Sequence, residues 1–400
     1  MKMRDSEQIK IPTGGRLRVL TIGNFLLCLF LILIPVFLNM FIFAFDKEGA
    51  TAFVLLACYV VLEVLIFFTG IIMIYFTSVQ VSFKLKLIGL LVGWIPIAHL
   101  VALFFILRKS IAEQFFEKKK IKTDRKRAAE QICATKYPIV MVHGIFFRDF
   151  RFMNYWGRIP AELERNGAKI FYGNHESAET VEKSAEKIRE RILEVCEKTG
   201  CDKVNVIAHS KGGLDTKYAI AKTDIGEHIA SLTTINTPHG GCEFAEYLLD
   251  KIDEPIQKKV AGAYNATLKR LGDKSPDFIM AVRDLTATRC KALSRMCDTF
   301  DYEAAGIFTQ SVGSCMKKAK SGAFPLNMSY KFVDKFDGPN DGLVGEPAFH
   351  WGSKYTYLEN KYNRGISHGD MIDLNRENIT GFDVREFYVN LVADLKNRGL

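Results

Sequence analysis

The chain has 400 residues, 48% of them hydrophobic and 25% charged, with a formal net charge of +9. That composition excludes a disordered or fibrous protein and leaves room for more than one compact unit. Residues 1–18 hold five basic and two acidic side chains and residues 108–127 hold nine and three, while the 37 basic and 37 acidic side chains beyond them cancel. Positive charge confined to the flanks of apolar segments suits anionic lipid headgroups and excludes nucleic acid as the partner.

Behind a basic N-terminal tail (1–18), three apolar runs follow. Val19 to Phe45 is free of charge, Ala50 to Val79 is broken only by Glu63, and Leu87 to Leu107 contains Pro96 and His99. Each is long enough to span a bilayer, so 19–107 reads as an all-α transmembrane region of two or three helices. The first run is too long for a signal peptide and two more follow it. Three full spans would put the basic tail and the basic 108–136 linker on opposite sides of the membrane, against the positive-inside rule. Two spans and a re-entrant third segment, made irregular by Gly89, Gly93 and Pro96, keep both on one side and predict a cytoplasmic C-terminal half. Glu63 and His99 lie within these apolar runs and are read either as an intramembrane pair or as a single carboxyl at a helix interface.

Beyond the linker, apolar runs alternate with amphipathic stretches. Strands are expected at Pro138 to Val142, Ala168 to Tyr172, from Val204, at Ile229 to Ile235 and at Ile307 to Val312. Val181, Ala185, Ile188, Ile192 and Val195 line one helical face closed by Gly200, and Val384, Phe387, Leu391, Val392 and Leu395 line another. This alternation predicts a mostly parallel sheet with helices on both faces over 137–400. About 241–298 breaks the pattern with helical spacing, as in Ile256, Val260, Tyr264, Leu268 and Leu271, and reads as a cap over the strand ends, either a gate or a fixed subdomain. Nine cysteines with no C-x-x-C spacing point to buried apolar residues in a reducing compartment, with Cys196 to Cys201 as the one short-range alternative.

The chemistry gathers at Val204 to Gly213, V-N-V-I-A-H-S-K-G-G. A buried strand there meets a helix at Ser210, and Ala208, Gly212 and Gly213 are small enough for the two to close around it. Taken alone, the pattern equally suits a helix N-cap. A serine nucleophile needs a base and an acid that orients it. His99 lies in the membrane region, and His143, His209 and His239 sit in short motifs near strand ends where structural hydrogen bonds are expected. His368, in G-I-S-H-G-D after the last expected strand, is the base. Asp334, Asp337 and Asp341 compete for the acid, and spacing does not choose between Asp337 and Asp341. Backbone N–H groups of Lys211 and of Ile145, in V-H-G-I-F-F, are placed to receive an oxyanion. The Lys211 side chain is expected in solvent.

The ordered motifs Y-P-I-V-M-V-H-G, Y-W-G-R-I-P-A-E-L, N-G-A-K-I-F-Y, K-V-N-V-I-A-H-S-K-G-G-L, T-T-I-N-T-P-H-G-G, N-D-G-L-V and S-H-G-D make the segment from Tyr137 onward resemble the bacterial true lipases, the triacylglycerol lipases of the Pseudomonas and Burkholderia type. The resemblance implies an α/β-hydrolase fold, Ser210 as nucleophile, Asp341 as acid, His368 as base, and Ile145 and Lys211 as oxyanion donors. It also implies a structural calcium at Asp370, two residues after the histidine, although no partner aspartate is recognisable. The chain departs from the family at Ala208, in the absent cysteine after N-D-G-L-V, and in its membrane region, since the family is typically secreted. The expectation is a serine hydrolase anchored in a bacterial plasma membrane, with its catalytic half cytoplasmic, cleaving lipid-derived carboxylic esters through an acyl-enzyme. The chemistry itself requires no cofactor. One fold and triad also serve phospholipases and acyltransferases, and a non-catalytic membrane protein using the domain as a binding module is the rival from another class.

Overall fold

A computed structural model describes residues 14–47, 50–145, 154–270, 276–323 and 326–400. Most of the basic tail, residues 146–153 and the expected Leu271 lie outside them. The chain divides into two compact units, one spanning Ile11–Lys126 and the other containing Arg127–Leu400.

In the first unit, α1 (Gly15–Lys47) and α2 (Ala50–Thr77) form a hairpin of two helices long and apolar enough to cross a membrane. Small residues set their approach, since a Cβ on Gly70 would come within 2.9 Å of Leu27. The third apolar run is broken into α3 (Phe83–Leu91) and α4 (Pro96–Arg127). The segment read as a basic linker therefore begins as helix, because Lys, Arg and Glu sustain α-helix as well as the apolar residues before them. Glu113 ties this unit together. Its buried carboxylate accepts the Ser78 hydroxyl at 2.6 Å, the Val79 and Gln80 N–H groups at 3.1 Å, and the Arg16 guanidinium at 2.7 Å. Asn24, Ser110 and Gln114 add a second buried polar link between α1 and α4. Glu63 and His99 make no ion pair among the described residues; the His99 ring packs on Phe67 at 4.9 Å.

The second unit is an α/β sandwich. Its strands are β1 (Ile139–Val142), β2 (Ile170–Tyr172), β3 (Val204–His209), β4 (Ile229–Ile235), β5 (Phe308–Ser314) and β6 (Lys354–Leu358), all parallel in the order β2-β1-β3-β4-β5-β6. Alternation decides the two cores. Ile139, Met141, Ile207 and Ile235 face α5 (Ile159–Arg165) and α13 (Val384–Asn397), where Trp156 and Tyr388 are fully buried. Val140, Val142, Val206 and Leu232 face α6 (Val181–Thr199) and α7 (Lys211–Lys222). Four helices, α8 (Glu243–Lys251), α9 (Glu254–Arg270), α10 (Phe278–Arg283) and α11 (Ala287–Cys297), fill the block expected to be a helical cap. The strand β6 was not anticipated, because K-Y-T-Y-L is a short, half-exposed edge with no apolar run to betray it. Helix α12 (Leu326–Asp337) lies between β5 and β6 in the chain. All nine cysteines are free, so Cys196 and Cys201 are not bridged.

The packing of α7 against the ends of β1 and β4 depends on absent side chains. A Cβ on Gly213 would lie 2.1 Å from the Thr237 hydroxyl, and one on Gly212 would lie 2.4 Å from the His143 carbonyl. Gly213→Ala is therefore expected to destabilise the protein by about 1–3 kcal/mol through overpacking, measured as a fall in urea or thermal midpoint, whereas Gly262→Ala, with open space at its Cβ, should not.

Candidate active site

Ser210 closes β3 with φ +56° and ψ −132°, a backbone state in which a side chain is strained. Neighbouring groups hold it there. Its N–H donates to the Ile235 carbonyl at 2.9 Å, and its carbonyl accepts the Thr237 hydroxyl at 2.9 Å and the Gly213 N–H at 3.0 Å. The Ser210 side chain makes no capping hydrogen bond to α7, so the N-cap alternative does not describe its role. A Cβ on Gly144 would come within 2.8 Å of the Ser210 Cβ, which places the turn after β1 directly against the serine. That turn brings Ile145 to the site. Among the described residues, the N–H groups of Ile145 and Lys211 have no hydrogen-bond partner.

The structure brings Asp341 to His368. Asp341 Oδ2 lies 2.6 Å from His368 Nδ1, and the His368 backbone N–H donates to the Asp341 carbonyl at 2.9 Å. The carboxylate is fully buried and its oxygens are satisfied on every side. Oδ1 accepts the Leu343 and Val344 N–H groups at 2.9 and 2.8 Å, and Oδ2 also accepts the Asn236 amide at 2.7 Å. An acceptor-only carboxylate on Nδ1 fixes the proton there and leaves Nε2 as the basic nitrogen, a tautomer assigned from the network. Asp337 lies elsewhere, accepting the Glu243 and Phe244 N–H groups at the start of α8. The His368 ring packs 4.5 Å from the ring of His209, the residue that precedes Ser210.

A supporting layer was not legible in advance. The Tyr155 hydroxyl accepts the Gly144 N–H at 3.0 Å and contacts His209 Nδ1 at 2.7 Å. Burial holds His209 well below its ordinary value, so the neutral ring accepts the tyrosine proton at Nδ1. This chain of contacts fixes the turn that carries Ile145. Asn236, with φ +48°, orients the Asp341 carboxylate and also donates to the Ser314 hydroxyl at 2.8 Å. The only advance signal for either residue was its place in a shared motif. Of the remaining expected structural histidines, His143 stacks on His175 at 3.9 Å and His239 contacts the Thr234 hydroxyl at 3.0 Å.

The Lys211 side chain corrects the solvent expectation. It is 2% exposed, and Nζ donates to Asp215 Oδ1 at 2.6 Å and to the Ser184 hydroxyl at 3.5 Å. The first turn of α7 packs against α6, so a lysine there turns inward toward the carboxylate one turn on. Burial raises the Asp215 carboxyl, to about 7, against the pull of Lys211.

Asp370 does not present a hard-cation site. Arg364 donates to both of its carboxylate oxygens, at 3.0 and 3.1 Å, and the Ser367 N–H donates at 2.8 Å. A further Arg364 nitrogen contact goes to Glu377 at 2.8 Å. A guanidinium thus already neutralises the acids that calcium would need, and no cluster of three acidic, histidine or cysteine side chains suited to a metal occurs among the described residues.

Residues 136–302 match the family described as "Putative serine esterase (DUF676)". A triacylglycerol lipase of Burkholderia plantarii is 33% identical over 205 residues, covering 48% of this chain and 54% of that protein. The chain thus spans about half the length of that relative. A triacylglycerol lipase of Vibrio cholerae is 35% identical over 237 residues, covering 54% of this chain and 75% of that protein. Among solved structures, the mature Bacillus licheniformis lipase BlEst2 aligns with a TM-score of 0.47 at 18% identity, over 65% of this chain and 92% of that one.

The guanidinium at Asp370 has a direct consequence for metal dependence. EDTA should leave the melting temperature of the wild type unchanged, and Arg364→Ala should lower stability by about 1–3 kcal/mol by stripping a buried carboxylate of its partner. A melting temperature that rises with calcium would contradict this reading.

Proposed function

This chain belongs to the serine esterase and lipase family of those triacylglycerol lipase relatives, and we propose that it is a membrane-anchored carboxylic ester hydrolase. In this reading Ser210 Oγ attacks the ester carbonyl while His368 Nε2 takes its proton. Asp341 keeps Nδ1 protonated and steadies the imidazolium that forms. The Ile145 and Lys211 N–H groups receive the negative charge of the tetrahedral intermediate. His368 then returns the proton to the departing alcohol, leaving an acyl-Ser210 enzyme that water hydrolyses by the same steps in reverse order.

The observation that carries the proposal is a strained Ser210 with no capping hydrogen bond and, packed on the ring of the preceding His209, a histidine whose Nδ1 is bound at 2.6 Å by a fully satisfied carboxylate.

A lipid-derived ester is the substrate class we favour, on the triacylglycerol lipase type of the relatives. Tyr247, Ile256 and Val260 of the cap and Met328 and Phe332 of α12 leave apolar surface exposed, which suits an acyl chain better than a polar substrate. The hairpin of α1 and α2 supports anchoring. Its apolar side chains, such as Phe25, Ile32, Leu65 and Phe76, are mostly exposed, as lipid-facing residues are and core residues are not. Basic residues at the start of α1 and along the second half of α4 favour the cytoplasmic side for the catalytic unit.

Turnover of a water-soluble ester by the detergent-solubilised full chain tests the assignment. Ser210→Ala and His368→Ala should abolish it, and Asp341→Asn should lower kcat by about three to four orders of magnitude through the wrong imidazole tautomer. Asp337→Asn should stay within about twofold of wild type. Equal losses at Asp337 and Asp341 would overturn the choice of acid. A second set reads the supporting layer: Tyr155→Phe should lower kcat about tenfold with KM little changed, because it frees the turn that bears an oxyanion donor.

A further inference from the structure

The first unit carries a groove of about 880 Å³ between the first turns of α1 and the last three turns of α4. Arg18, Lys118, Lys122, Arg125 and Lys126 line it, all exposed, and no carboxylate does. Helical spacing puts them together: Lys118, Lys122, Arg125 and Lys126 fall at i, i+4, i+7 and i+8 on one face. Among the described residues none of the five has an ion-pair partner. Arg16, by contrast, is already committed to Glu113. Five cations in one groove repel one another, a cost that an anion held among them would offset. The rest of the lining is mostly apolar, with Leu17, Ile22 and Ile121 forming a greasy wall beside the charges. The groove also lies where both helices change character. Arg18 directly precedes the charge-free run of α1, and α4 turns from apolar to basic beyond Leu107.

We propose that this groove is a binding site for an anionic glycerophospholipid, its phosphate among the five cations and an acyl chain against Leu17, Ile22 and Ile121. The proposal rests on the reading that α1 and α2 cross a bilayer, since only then does the groove sit at headgroup depth. A soluble phosphate compound would satisfy the charges and leave the apolar wall without a use, so the lipid is the better fit.

Native mass spectrometry of the full chain in non-ionic detergent tests it, with phosphatidylglycerol and phosphatidylcholine as probes. Wild type should bind phosphatidylglycerol about tenfold or more tightly than phosphatidylcholine, given about fivefold per engaged basic residue. The variant Lys118→Gln/Lys122→Gln/Arg125→Gln should lose that preference. Lys317→Gln/Lys318→Gln/Lys320→Gln, which removes equal charge from the other unit, should keep it. Arg18→Gln provides a milder variant from the other wall, expected to weaken phosphatidylglycerol about fivefold, so that a misfolded triple variant does not decide the matter. No preference in wild type, equal binding by the groove and control variants, or displacement of the lipid by millimolar inorganic phosphate would each overturn the proposal. Alkaline carbonate extraction separates the two readings. Wild type and groove variant should both stay in the membrane pellet if the helices span it, and release of wild type would sink the anchoring itself.

Discussion

The parallel-sheet unit closes around one strained residue. Ser210 occupies positive φ at the junction of β3 and α7, and it stays there because nothing else fits. Gly212 and Gly213 leave no room for a Cβ, and Gly144 approaches the serine itself from the turn after β1. The departure at Ala208 costs little because that side chain points into the core shared by β3, α6 and α7 and is fully buried there. The strain is therefore stored by tight packing of a rigid parallel sheet, and it turns the hydroxyl away from the helix it would otherwise cap. A relaxed serine would be another N-cap.

Around that residue the polar groups form three short supports. Asn236 and the Leu343 and Val344 N–H groups fix Asp341, which fixes His368. Tyr155 links His209 to the Gly144 N–H. Lys211 and Asp215 pair inside the first turn of α7, directly after Ser210. Such buried groups are costly when unpaired. The Asp341 carboxylate meets donors from Asn236, Leu343, Val344 and His368, whereas His209 Nε2 and Asn236 Oδ1 find no partner among the described residues.

How much of this could be read beforehand follows the physics of each element. The buried strands β1, β3 and β4 announce themselves as runs of β-branched residues, and α6 and α13 by their apolar stripes. Ser210 and His368 stand out because short motifs surround them. Asp341 did not separate from Asp337 by spacing, because both lie near one turn and only the fold shows which faces the histidine and which caps α8. The edge strand β6 is settled by its pairing with β5, distant in sequence, and no local apolar run reports it. The inward turn of Lys211 and the guanidinium at Asp370 involve partners only four and six residues away, Asp215 and Arg364, and were missed because burial, which spacing does not report, decides whether such neighbours pair. The basic 108–127 stretch shows the converse, since its charge was legible but its continuation of α4 was not.

The account makes Ser210 the one nucleophile of the chain, and peptide mapping after reaction with a fluorophosphonate reads that directly. The folded, detergent-solubilised full-length protein is labelled, digested and analysed by mass spectrometry. The account predicts a single phosphonyl adduct, on the peptide containing Ser210, formed at a rate that collapses when His368 is replaced. An adduct on another serine, or none on Ser210 in a protein that melts cooperatively, would contradict it.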